Sequence, residues 1–157
     1  MNPFFVGSFD PPHIGHKKTF ELAQQILKIP INIAICQNTL KTKPMFCLSE
    51  RKILCENTFL TQNIIVCENE IETRKFYFQC DRIIRGYKDI SDINYIYKLA
   101  ELYNLAHIEE KLILIPIQLP NICSTNIKSM LTNDINSVKN FLDPFVYSQV
   151  IAKINVK

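Results

Sequence analysis

Five short apolar runs alternate along this chain with stretches of helical periodicity. The runs are residues 3–6, Ile31–Cys36, Asn63–Cys67, Arg82–Ile84 and Leu112–Pro116. They are rich in isoleucine and apolar at successive positions rather than at every second one, so each needs cover on both faces. The helical patterns are Gly15–Leu27, Leu48–Phe59 (with Ser49 placed to cap it), Glu72–Cys80, Ser91–Leu105, Ser124–Leu131 and Pro144–Ile154. Such alternation predicts an α/β fold: a doubly wound, mainly parallel five-stranded sheet with helices on both faces and right-handed crossovers. No linker or repeat interrupts the pattern, and residues 1–157 read as one domain. A chain of this length buries roughly 68–70% of its extended surface and needs no staple to fold.

Glycine is scarce: Gly7, Gly15 and Gly86 are the only three, where an average composition would give about 11. Gly7 and Gly15 fall in one stretch, GSFDPPHIGH, and Gly86 falls in IIRGYKD. Both stretches follow an apolar run and precede a helical pattern. Each glycine is therefore expected where a special backbone angle or a close approach to a ligand excludes a side chain. Loops between a strand's carboxyl end and the next helix are where open α/β sheets bind phosphates.

The charge of +3 is small and contains no block of like charges, which argues against nucleic acid as the main partner. The longest aliphatic run, Leu112–Ile117, is far too short to span a membrane. A soluble cytoplasmic protein is the expectation. The six cysteines lack ligand spacing, so no zinc site is expected. Five lie in apolar segments and read as buried thiols; Cys123 is the exception.

In GSFDPPHIGH, Gly7 and Ser8 offer backbone amides and Ser8 adds a hydroxyl. Pro11 and Pro12 stiffen the turn, and Asp10 is placed to tie it to neighbouring backbone. His13 and His16, three apart at a helix start, converge with the helix dipole on one point that suits an anion. Gly15 between them lets a ring or a phosphate come close. Asp92 is expected to fix the loop after Arg85 or to cap the next helix. Tyr95, Tyr97 and Tyr103 read as packing residues, and Lys17 and Lys18 as an exposed helix face.

The ten residues resemble the HxGH signature of the nucleotidyltransferase superfamily, and taken alone would suit a nicotinate-mononucleotide adenylyltransferase equally well, even slightly better. Three later blocks resemble the phosphopantetheine adenylyltransferase family: KPMFCLSERKIL (Lys43–Leu54), RGYKDISDINY (Arg85–Tyr95) and ICSTNIKSML (Ile122–Leu131). The four blocks occur in the family's order and cover nearly the whole chain. The resemblance implies a Rossmann-like domain that transfers the adenylyl group of ATP to 4′-phosphopantetheine, giving dephospho-coenzyme A and pyrophosphate. It also implies Mg²⁺ travelling with ATP, a homo-hexamer, and coenzyme A as a possible inhibitor. The alternatives are another HxGH nucleotidyltransferase, or a weakly catalytic nucleotide-binding protein of the same fold.

Carried over position by position, the resemblance makes His16 the transition-state donor and Ser8 the contact to the transferred phosphate. Gly7, Phe9 and His13 line the nucleotide loop. Arg85 faces the pantetheine side, with Gly86, Tyr87 and Lys88 at the ATP. Asn121, Ile122, Cys123, Ser124 and Thr125 form the segment expected to receive the outer phosphates. A loop lysine is required, and Lys41, with one inserted residue, is preferred over Lys43; Ile71 is the apolar contact to the pantetheine arm. The chain departs from the family in three further places. Lys88 replaces an arginine and loses its bidentate fork, Ile96 replaces a glutamate and lies on an apolar stripe, and Cys123 replaces a serine.

Overall fold

The computed structural model describes residues 2–37 and 44–155. Its strands are β1 (Phe4–Gly7), β2 (Asn32–Cys36), β3 (Ile64–Cys67), β4 (Ile83–Tyr87) and β5 (Leu112–Pro116). They form one sheet in the order β3-β2-β1-β4-β5, and every pairing is parallel. The chain builds outward from β1 through β2 to β3, then crosses back to add β4 on the other side. The switch point of the sheet thus lies between β1 and β4, where open α/β sheets hold their ligands.

The strands are apolar at successive positions because each face has its own helices. Phe5, Ile33, Ile35, Ile84 and Ile115 point into a core with Phe20 and Ala23 of α1 (Ile14–Leu27) and Cys55 and Phe59 of α2 (Leu48–Phe59). Their neighbours Val6, Ala34, Cys36 and Ile83 point the other way. There they meet Tyr77 of α3 (Glu70–Gln79) and Ile96, Leu99 and Ala100 of α4 (Ile90–Leu102). A four-residue helix α5 (Ile108–Lys111) leads into β5. Beyond the sheet, α6 (Ser124–Asn133), a 3₁₀ helix (Ile135–Phe141) and α7 (Pro144–Asn155) close a third core. It is built on Phe46, Leu54, Ile127, Leu131, Val138, Val146 and Val150.

Several boundaries differ from the sequence reading. β4 runs on to Tyr87, so Arg85 and Gly86 are strand residues rather than loop residues. The β5 ladder extends them through Arg85–Leu114, Gly86–Ile115 and Tyr87–Pro116. Cys47, not Ser49, is the N-cap of α2, and its amide donates to the Glu50 carboxylate at 2.7 Å. α4 stops at Leu102 because Asn104 takes a left-handed φ of 52°. Cys47 is exposed, against the expectation of a buried thiol, whereas Cys36, Cys55, Cys67 and Cys80 are buried. Ile96 is buried in the α4 core, as its apolar stripe predicts.

Candidate active site

The carboxyl ends of β1 and β4 open into a cavity of about 190 Å³. Its wall brings together Gly7, Ser8, His13, Gly15, His16, Arg85, Gly86, Ile122, Cys123, Ser124 and Thr125, which lie far apart in the chain. Phe9, Tyr87, Lys88 and Asn121 are not part of this wall, and Ile71 sits 67% exposed on α3, also outside it. Lys41 and Lys43 lie outside the described residues.

The motif turn is held from several directions. Asp10, buried, accepts from the amides of Met45 and Phe46, each at 2.9 Å, and pairs with Lys128 of α6. Arg51 of α2, also buried, donates from Nε to the Phe46 carbonyl at 2.9 Å and from Nη1 to the Ser8 carbonyl at 3.1 Å. The Ser124 hydroxyl donates to the Pro11 carbonyl at 3.0 Å, which ties the start of α6 to the same turn. Motif loop, α2 and α6 therefore form one hydrogen-bonded unit.

Within that unit the histidines have different tasks. His13 is the N-cap of α1, and its Nδ1 accepts from the His16 amide at 3.3 Å. In a neutral ring this places the proton on Nε2. The two imidazoles stack with centroids 3.7 Å apart, and the His16 and Phe9 rings meet edge to face with centroids 5.0 Å apart. Phe9 is 1% exposed and packs beneath the cavity, under Gly7. Arg85 donates from Nη1 to the Val6 carbonyl at 3.0 Å, so its guanidinium is braced across the β1–β4 gap.

Charge in the cavity is arranged for an anion. Among the described residues the wall contains no aspartate or glutamate. The first turns of α2, α3 and α4 carry acidic residues, whereas those of α1 and α6, which open on the cavity, carry none, as is also true of α7. The positive ends of α1 and α6 are thus left for a ligand. In α6 the Cys123 thiol accepts from the Asn126 amide at 3.4 Å and acts as the cap.

Some wall residues have no ligand-facing role in the sequence reading, and two of them, Tyr95 and Tyr103, read there as packing residues. Cys36, Gln37, Thr73, Tyr77, Tyr95, Leu99 and Tyr103 line the cavity from the α3–α4 side. Tyr103 is 2% exposed and so packs and borders the cavity at once, while Tyr97 is exposed. The i, i+4 spacing of Thr73 with Tyr77 and of Tyr95 with Leu99 is the available signal. Asp92 accepts from the Lys88 amide at 2.8 Å and fixes that loop; Asp89 is the cap of α4, and its carboxylate also faces Lys88 Nζ at 3.9 Å. Among the described residues no three His, Cys, Asp or Glu side chains are grouped to hold a metal, and no helix is long and apolar enough to cross a membrane.

Donors and dipoles gathered at the switch point of a parallel sheet define an enzyme that positions phosphate groups. Residues 4–130 match the cytidylyltransferase-like family. The chain is also 30% identical over 148 residues to the phosphopantetheine adenylyltransferase of Hahella chejuensis (strain KCTC 2396), covering 90% of this chain and 89% of that relative. The chain belongs to the cytidylyltransferase-like family, and its activity is nucleotidyl transfer.

Proposed function

We propose that the nucleotidyl group is the adenylyl group of ATP and that the acceptor is 4′-phosphopantetheine, with dephospho-coenzyme A and pyrophosphate as products. The observation that carries this reading is the single cavity shared by Ser8, His16, Arg85, Ser124 and Thr125. The similarity to an enzyme of that name over 90% of the chain supports the acceptor.

A phosphate oxygen of the acceptor attacks the α-phosphorus of ATP, and the α–β bridging bond breaks to release pyrophosphate. The nucleophile is already anionic, so no general base or covalent intermediate is required. The task is to position two polyanions and to neutralise the charge that builds on the pentacoordinate phosphorus. His16 donates to an oxygen on that phosphorus, Ser8 holds the transferred phosphate, and the start of α6 receives the β- and γ-phosphates. Arg85 meets the acceptor phosphate, aided by a lysine of the 38–43 segment. Mg²⁺ would enter with ATP as part of the substrate, its ligands supplied by phosphates and water. The homo-hexamer and inhibition by coenzyme A implied by the resemblance belong to the same proposal.

The test is incubation with ATP, Mg²⁺ and, in parallel, 4′-phosphopantetheine, nicotinate mononucleotide or a phospho-alcohol, with mass detection of the adenylylated product. Dephospho-coenzyme A formed in preference to the other products supports the reading. Preference for nicotinate mononucleotide, which GSFDPPHIGH also suits, or turnover of no acceptor would overturn it.

A further inference from the structure

Cys36 and Cys67 end β2 and β3 side by side at the carboxyl edge of the sheet, as partners in the ladder register. Adjacent strands lie about 4.8 Å apart, inside the Cα separation of about 4.4–6.8 Å that a disulfide spans. Both side chains point into the α3–α4 core. The Cys36 thiol donates to Cys67 Sγ at 3.7 Å. Cys36 also lines the cavity. Cys67 is buried outside the wall and interacts with Cys36 and with Thr73, another wall residue. Immediately beyond Cys36 and Gln37 the chain enters the 38–43 segment that carries Lys41 and Lys43.

We propose that Cys36 and Cys67 are a dithiol–disulfide site, oxidised by hydrogen peroxide, and that the bond pins the end of β2 to β3 beside the bound substrates. The direction of the chemistry follows from the pair's asymmetry. The hydrogen bond from Cys36 holds the Cys67 thiol below its ordinary range despite burial, and the same bond together with burial pushes Cys36 up. Cys67 is therefore the nucleophile, since the thiolate is the reactive form. Its sulfur attacks one oxygen of hydrogen peroxide, the O–O bond breaks, and the leaving hydroxide takes a proton to become water. The resulting sulfenic acid is attacked by Cys36 sulfur; the S–O bond breaks and the second hydroxide leaves with the Cys36 proton. Two thiols and one peroxide become one disulfide and two waters, with two electrons passing from sulfur to oxygen.

The site is tested on the reduced full chain treated with hydrogen peroxide and analysed by intact mass and non-reducing peptide mapping. The expected result is loss of the mass of two hydrogens, a mapped Cys36–Cys67 bond, and recovery on adding dithiothreitol. Cys67→Ser should abolish the bond, with Cys67→Ala standing in if that variant fails to fold. Oxygen adducts at either thiol, or bonds made only by exposed Cys47 or Cys123, would overturn the proposal. Pinning is read as a several-fold, reductant-reversible fall in adenylyl transfer. An S-methyl form of 4′-phosphopantetheine is the acceptor, so that no substrate thiol reduces the bond. This last readout rests on the proposed reaction and the mass change does not, so the two failures are distinguishable. A mapped bond that leaves the rate unchanged would overturn the pinning.

Discussion

Phe9, not a glycine, holds the unusual backbone angle in the motif. No glycine of the chain has a positive φ, whereas Phe9 sits at 45°, a conformation that costs an ordinary residue roughly 1–2 kcal/mol. Glycine is kept for space instead. A Cβ on Gly7 would stand 2.8 Å from the Phe9 ring, and one on Gly86 3.0 Å from the Ile117 side chain. The Phe9 ring has nowhere to retreat, because Phe5, Phe59 and His16 close around it. Gly7→Ala should therefore destabilise the protein by about 1–3 kcal/mol, the usual cost of overpacking, read as a lower urea midpoint. His16 makes the complementary case. It is braced by stacking on His13 and by the edge contact to Phe9. His16→Ala should lower kcat by about 10²–10³-fold, the loss seen on removing one transition-state donor, while the ATP dissociation constant changes much less. Steady-state rates beside calorimetric binding of ATP separate these. Equal losses in both would make His16 a ground-state contact.

At the scale of elements, the sequence betrays what local periodicity encodes and hides what pairing decides. The doubly buried strands and most of the helices are legible because an apolar run without alternation admits few other fates. The length of β4 is not, since Arg85–Tyr87 become strand only through β5, some thirty residues away. The 3₁₀ helix Ile135–Phe141 and the cap at Cys47 are equally silent; serine is the favoured cap residue, and Ser49 misleads for that reason. The start of α2 also holds an ion pair that sequence spacing cannot reveal, Glu50 with Lys153 of α7 at 2.6 Å. The hydrogen bond from Lys153 lowers the Glu50 carboxyl below its ordinary value, and the Cys47 amide adds to this. A carboxyl lowered in the folded state contributes stability above its unfolded pKa, and loses it as pH falls through the folded one. The stability difference between the wild type and Glu50→Gln should thus be constant above about pH 5 and vanish as pH drops below the ordinary glutamate value of about 4.3. Urea titrations across that window measure it, and a difference that grows in acid would contradict the assignment.

For the whole molecule, the candidate site is a product of three cores rather than of one motif. GSFDPPHIGH announces itself by composition, and the Ser124 segment by its resemblance to a family block. Their joining does not, because it depends on Asp10 meeting the amides of Met45 and Phe46 and on Arg51 reaching the Ser8 carbonyl, contacts that bridge more than thirty residues. The α3–α4 wall is hidden for another reason: Tyr77 and Tyr103 are core residues that also face a ligand space, and core periodicity masks the second role. The third core sets the position of α6, whose first turn lines the cavity. Ile127 and Val150 both belong to it and are buried. Ile127 lies one turn behind Ser124 and Thr125, whereas Val150 is on α7, which contributes nothing to the cavity wall. Ile127→Ala should cost about 2–5 kcal/mol of stability, and Val150→Ala about 1–3 kcal/mol from lost methyl burial and the cavity left behind. ATP affinity, measured by calorimetry on the folded protein well below either melting transition, should fall for Ile127→Ala and stay near wild type for Val150→Ala. If α6 were held mainly by its ties to the motif turn, through Ser124 to Pro11 and Lys128 to Asp10, neither variant would lose affinity. If the third core acts as one rigid block, both would. Only a selective loss at Ile127 places the control of the amides at the start of α6 in the turn directly behind them.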